Sequence, residues 1–329
     1  MTFEIILDSR PTGAKEPELE RVALRFLRLI GYLPPGYDTR TGASDALESI
    51  PYRLFVDCFL GNPEKAWSVG ELARALGTSI PTVYRHLDKL AALDLLGQGS
   101  LEGDLSRKGY FLRYHDLRRA WRFTEVNVEL SMASYRRVVD IIQASVGTER
   151  KRDEAEPSRN SVSAGAEREF RIRVVNHRFN FSDRWDKLAV ELLTAADYLS
   201  DIGPMDLKRA KRSIPFRLLV ECLLKRPEAG WTIDELSTTL ETTKPTVYRY
   251  LRRLGQLGVL ERSLPGESTP EDAGAALQKR RFRIRRGNLS KAWNVTEWYA
   301  KSVMKSYRRT VERIAELAEE GREKRSSSQ

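Results

Sequence analysis

The stretch Ser79-Ile80-Pro81-Thr82-Val83-Tyr84-Arg85-His86-Leu87-Asp88-Lys89-Leu90 decides the fold. It returns as Thr243-Lys244-Pro245-Thr246-Val247-Tyr248-Arg249-Tyr250-Leu251-Arg252-Arg253-Leu254. Each version opens on a hydroxyl residue suited to cap a helix. A proline follows in the first turn, where its missing N–H does no harm. Val83, Leu87 and Leu90 then fall on one helical face, with Thr82, Arg85 and Lys89 mostly opposite. In the second version Lys244, Thr246, Arg249, Arg252 and Arg253 lie on or beside the equivalent helix.

A shorter helix precedes each of these. In the first version it is Gly70-Glu71-Leu72-Ala73-Arg74-Ala75-Leu76, introduced by Trp67-Ser68-Val69 and followed by the turn Gly77-Thr78-Ser79. Two short helices joined by a tight turn, the second exposing polar and basic groups, make a helix-turn-helix. Arg and Thr on that exposed face can reach base edges and phosphates in a major groove.

The likeness between the two versions extends outward. Residues 50–96 align without a gap on residues 214–260, and 23 of 47 positions are identical. Thr124-Glu125 matches Thr296-Glu297, and Ser134-Tyr135-Arg136-Arg137 matches Ser306-Tyr307-Arg308-Arg309. Upstream, Tyr32-Leu33 matches Tyr198-Leu199, and Phe3-Glu4-Ile5 matches Phe170-Arg171-Ile172. The chain of 329 residues therefore reads as two copies of one module, at 1–147 and 168–321. The segment 148–167, rich in charge, Ser, Ala and Gly, reads as a flexible linker, and 322–329 as a disordered tail.

Each copy opens on a strand-like alternation, Phe3/Ile5/Leu7 or Phe170/Ile172/Val174. These two runs either pair with each other or edge the sheets formed later in the chain. A helix follows, with Leu19, Val22, Phe26, Ile30 and Leu33 at 3–4 spacing, or Trp185, Leu188, Leu192, Ala196 and Leu199. Ser49-Ile50-Pro51 and Ser213-Ile214-Pro215 mark a further pair of capped helix starts. Cys58 and Cys222 sit at equivalent core-facing positions and read as small buried hydrophobes, not ligands.

After each recognition helix come a Gly-rich or charged loop and a strand: Tyr110-Phe111-Leu112-Arg113-Tyr114 in the first copy, 279–286 in the second. Strand, loop and strand in this place make a wing. Lys279, Arg280, Arg281, Arg283, Arg285 and Arg286 interleave with Phe282 and Ile284, so a β-strand there turns one face apolar and the other basic. Each copy closes on a long helix with a heptad-like seam. The seams are Val128, Met132, Tyr135, Val139, Ile142 and Val146, and Ala300, Met304, Tyr307, Val311, Ile314 and Ala318. Pairing of the two seams would make the chain a pseudo-twofold dimer.

Charge is divided unequally. Lys+Arg number 56 and Asp+Glu 46, a net of +10. Residues 1–147 hold 19 of each, giving zero, whereas residues 168–321 hold 30 and 21, giving +9. Such asymmetry points to nucleic acid as the partner of the second copy above all. Asp88 stands where the second copy has Arg252, and Arg107, Lys108 and Arg113 are the cations near the first wing. No apolar run reaches 18 residues, which argues against a membrane span. Two cysteines and three scattered histidines supply no metal-site spacing, and no phosphate loop or nucleophile motif is present. The expectation is a cytoplasmic, nucleoid-associated protein that is not an enzyme and needs no cofactor.

The segment Trp67–Leu96, taken with its second copy, resembles the winged helix-turn-helix of ArsR-, MarR- and IclR/TrmB-type regulators. The resemblance rests on Glu71-Leu72-Ala73 with Thr82-Val83-Tyr84-Arg85, and on Glu235-Leu236-Ser237 with Thr246-Val247-Tyr248-Arg249. It covers about half of each copy. It implies a mainly α fold with small β wings, sequence-specific binding of double-stranded DNA, and control of transcription, usually as a dimer. Here the dimer is fused, with homodimerisation left open, and no separate effector domain is visible. Two other readings stand beside it: a plasmid- or viral-type replication initiator with tandem winged helices, and a winged-helix protein-interaction scaffold.

Overall fold

A computed structural model describes residues 3–10, 15, 17–33, 43–101, 104–150, 169–199, 206–228, 230–263 and 281–327. The first copy runs β1 (Glu4–Asp8), α1 (Leu19–Leu29), α2 (Ala43–Leu47), α3 (Ile50–Arg53), α4 (Val69–Leu76), α5 (Ile80–Ala92), β2 (Leu96–Leu101), β3 (Asp104–Leu112) and α6 (Leu117–Arg150). The second repeats the order as β4 (Arg171–Val175), α7 (Trp185–Ala195), α8 (Leu207–Arg212), α9 (Ile214–Arg217), α10 (Ile233–Thr239), α11 (Lys244–Gln256), β5 (Leu260–Ser263), β6 (Arg281–Ile284) and α12 (Leu289–Ser326). After α3 and α9 the chain continues as π-helical turns, Leu54–Leu60 and Leu218–Leu223, which carry the buried Cys58 and Cys222. Burial pushes both thiols up to about 11, so they are uncharged.

Helix α12 runs on to Ser326, so most of 322–329 is helical and not the disordered tail expected. Arg322 explains part of this, because it donates to the Leu60 carbonyl at 2.5 Å. The hydroxyls of Ser49 and Ser213 also depart from expectation. Neither caps the helix it precedes; each donates backwards, to Ala46 and Ala210 carbonyls at 2.6 Å. Each hydroxyl thus closes the end of the preceding short helix.

The chain divides into two compact units, and they do not follow the repeats. The first unit is Met1–Leu130 with Val174–Asn176 and Lys301–Gln329. The second is Ser131–Arg173 with His177–Ala300. Each long helix thus gives its first part to its own copy's unit and its later part to the other's.

In the first unit, Phe3, Ile5 and Leu7 point inward as the alternation predicts. β1 is joined in this unit by Val174–Asn176, from the end of β4. Phe3 N–H donates to Asn176 Oδ1 at 3.2 Å. Tyr307, from α12, is fully buried against Trp121 with ring centroids 6.3 Å apart. Its hydroxyl donates to the Ile6 carbonyl at 3.0 Å. Arg308 beside it reaches Glu125 Oε1 at 2.8 Å, and Arg118 forks onto Glu319 at 2.6 and 2.9 Å.

In the second unit Tyr135, from α6, does what Tyr307 does in the first. It is fully buried between Phe179 (5.7 Å) and Trp293 (6.4 Å). Arg136 beside it forks onto Glu297 at 2.9 and 2.7 Å and donates to the Ser290 carbonyl at 2.7 Å. The repeated Thr-Glu and Ser-Tyr-Arg-Arg blocks are therefore complementary. The Glu of one copy receives the Arg of the other. Burial of Val128, Met132, Tyr135, Val139 and Ile142, and of all six α12 seam residues, bears out the heptad spacing.

Candidate nucleic-acid interface

Capping sets up each helix-turn-helix. The Ser68 hydroxyl accepts from Glu71 N–H at 3.2 Å while the Glu71 carboxylate accepts from Ser68 N–H at 2.8 Å. Thr232 and Glu235 repeat this box at 3.2 and 2.7 Å. The Glu of each Glu-Leu pair is thus a capping residue. Hydrogen bonds from Ser68 hold the Glu71 carboxyl below its usual range. The turn that follows needs a left-handed residue. Gly77 takes φ 62° in the first copy, and Glu241 takes φ 52° in the second.

On α5, Val83, His86, Leu87 and Leu90 are buried, as are Val247, Tyr250, Leu251 and Leu254 on α11. His86 is therefore a core residue. Its ring stands edge-on to Tyr32 with centroids 5.8 Å apart, as Tyr250 stands to Tyr198 at 6.1 Å. Burial first, then Arg85 and Lys89, push its pKa down to about 4.

The opposite faces are open. Arg85 and Lys89 are exposed, and neither has a hydrogen bond or ion pair among the described residues. Thr82 is half-exposed with its hydroxyl 3.0 Å from that of Ser79, which also accepts from Thr82 N–H. In the second copy Thr246 is half-exposed beside Thr243 in the same way, but Thr243 makes no cap hydrogen bond. Lys244 pairs with Asp234. Arg249 lies 4.8 Å over the Tyr250 ring and donates to its hydroxyl at 3.1 Å. Arg252 meets Glu169 at 3.1 Å with both side chains mostly exposed, a pair that anionic competitors readily displace. Arg253 is half-buried and turns instead into a cleft beside Tyr198.

Both helices also present an exposed tyrosine, Tyr84 at 45% and Tyr248 at 55%. Sequence reasoning passes over them. The signal was available: a large aromatic repeated at a helix position that no apolar spacing claims.

The wings are antiparallel pairs, β2 with β3 and β5 with β6. The second wing's basic run is a strand only to Ile284. Arg285 and Arg286 lie in a 3-10 turn, and Arg286 is exposed at φ 56°. Phe282 and Ile284 are buried and Arg281 and Arg283 are not, which bears out the alternation. Arg283 is held by Glu261 at 2.6 Å, and Arg281 donates to the Gly230 carbonyl at 3.4 Å. Arg285 locks the turn by donating to the Gly258 and Leu260 carbonyls at 3.1 and 3.2 Å. Arg113 does the same to the Asp94 and Leu96 carbonyls at 2.8 and 3.2 Å. Lys279 and Arg280 lie outside the described residues. The first wing contains a strand, Leu96–Leu101, where its glycines suggest a loop.

A family model described as a helix-turn-helix domain matches residues 52–97, and one described as an IclR helix-turn-helix domain matches residues 218–263. The chain is a tandem helix-turn-helix protein. Its domains are those of DNA-binding transcription regulators. No curated protein and no solved structure gives a match. Among the described residues of this helix-turn-helix protein, no helix is long and apolar enough to cross a membrane.

Proposed function

We propose that both recognition helices, α5 and α11, enter major grooves of duplex DNA, and that the second copy supplies most of the phosphate attraction. The fused copies act as an intramolecular pseudo-dimer that regulates transcription without catalysis. The observation that carries this reading is the equivalent open face Tyr84-Arg85 and Tyr248-Arg249, on two recognition helices that each follow a helix opened by the same capping box. The reciprocal exchange of helix halves supports a single two-headed binder. Exposed cations on and beside α11, with Arg281, Arg283 and Arg286 of the wing, suit backbone contacts.

Selection of bound duplexes from a random pool by the purified chain tests the proposal. The expected result is a two-part site with half-sites about one helical turn, roughly 10 bp, apart. Inverted half-sites fit a regulator, and directly repeated ones fit a replication initiator. A pool that never enriches would favour a protein-interaction scaffold and overturn the DNA reading.

A further inference from the structure

Behind α11, in the second unit, lies a cleft of about 190 Å³ lined by Arg171, Arg173, Asp197, Tyr198, Arg253 and Gln256 among others. Three guanidinium groups and one carboxylate line it, so its formal charge is +2. Two of the arginines come from strand β4 and the third from the recognition helix. Arg173 is anchored, donating to the Ala195 and Thr194 carbonyls at 3.2 and 2.5 Å. Arg171 is exposed and has no hydrogen bond or ion pair among the described residues. Arg253 points away from the open face formed by Tyr248, Arg249 and Arg252.

The first copy shares the surrounding fold but not this chemistry. It has Glu4, Ile6 and Lys89 where the second has Arg171, Arg173 and Arg253, and Gly31 where the second has Asp197. Tyr198 is buried and its hydroxyl finds no partner among the described residues. Tyr32 behaves alike, so that feature belongs to the fold. The three arginines and Asp197 set the second copy apart. Asp197 also holds φ 69°, a left-handed conformation that a side chain adopts at a cost, on the rim of the cleft.

We propose that this cleft binds a small dianion, a phosphate group carried by a metabolite or free in solution. Guanidinium forks match phosphate oxygens two at a time, and a +2 lining complements a doubly charged phosphate. The occupant would bridge strand β4 and the recognition helix. Binding needs no DNA, so the proposal stands or falls apart from the DNA reading.

The experiment is calorimetric titration and thermal melting of the full chain with inorganic phosphate, against chloride at matched ionic strength and without DNA. One saturable site is expected, with a melting temperature raised by about 2–4 °C at ten times the Kd. Arg171→Gln, at an exposed position, should weaken phosphate at least about tenfold, the loss of one charged hydrogen-bonding partner. Arg25→Gln, at an exposed position of the first unit, should leave it unchanged. Absence of saturable binding would overturn the proposal. So would equal binding by Arg171→Gln. If Arg171→Gln lowered only DNA affinity, the cleft would be a contact to the DNA backbone and the small-anion site would fall.

Discussion

At five equivalent places the two copies turn the chain through the left-handed region: Gly31 and Asp197, Gly77 and Glu241, Asp94 and Gly258, Tyr114 and Arg286, His115 and Gly287. All ten φ angles lie between 52° and 83°. At four of the five, one copy has glycine and the other does not. The backbone path is thus held by the packing of the module, while the side chains on it have diverged. Charge diverged most. The first copy leaves Arg85 and Lys89 open beside Asp88. The second has four cations along α11 and ties Lys244, Arg249 and Arg252 to Asp234, Tyr250 and Glu169. Shared geometry with unshared charge is the basis for unequal roles on DNA.

The largest expected effect bears on the shared part. Tyr135 and Tyr307 complete the unit of the opposite copy, so Tyr135→Ala and Tyr307→Ala should each cost about 3–5 kcal/mol, as for other buried aromatics. Urea unfolding measures both. A loss under about 1 kcal/mol from either would break the equivalence of the exchanged helices.

A smaller effect separates the copies by pH. The buried His86 has its pKa lowered from 6.5 to about 4, so the folded state binds fewer protons than the unfolded state in that window. Stability should fall as pH drops from about 6.5 towards 4, by on the order of 2 kcal/mol. His86→Tyr, which installs the second copy's residue, should remove that part of the slope. An unchanged slope would place the acid sensitivity elsewhere.

The smallest effect concerns the turn. Glu241→Gly should stabilise the chain by up to about 1 kcal/mol, because glycine takes φ near 52° without strain. Gly77→Glu should cost a similar amount. A Cβ at Gly77 would meet nothing within 4 Å, so only backbone conformation is at stake. Thermal melting of the two variants checks the sign of each.

Much of this was legible in the sequence. The repeated Thr-Val-Tyr-Arg with its apolar spacing located both recognition helices, and the Phe3/Ile5/Leu7 and Phe170/Ile172/Val174 alternations located two strands. The exchange of helix halves was not legible. Heptad spacing shows which face of α6 and α12 is buried, but not which copy covers it. The Glu of Thr124-Glu125 and the Arg of Ser306-Tyr307-Arg308 are 183 residues apart, and only the fold joins them. Gly97 misled for a different reason. It reads as loop, yet a Cβ there would lie 2.5 Å from the Phe111 ring, so it makes room for an aromatic inside a strand. Arg253 and Arg285 read as DNA ligands because charge alone cannot tell an exposed arginine from one that faces a cleft or caps a turn.

The unequal division of labour on DNA is tested most directly by salt titrations of Arg85→Ala and Arg249→Ala on one selected duplex. Arg249→Ala should cost roughly 1–3 kcal/mol, and Arg85→Ala less, because the first copy has no surrounding positive field. Replacing Arg281 and Arg283 should weaken binding to all sequences and flatten the salt slope by about 0.9 for each phosphate no longer neutralised. Equal losses from the Arg85 and Arg249 variants would contradict the asymmetry, and no loss from either would remove both helices from the DNA.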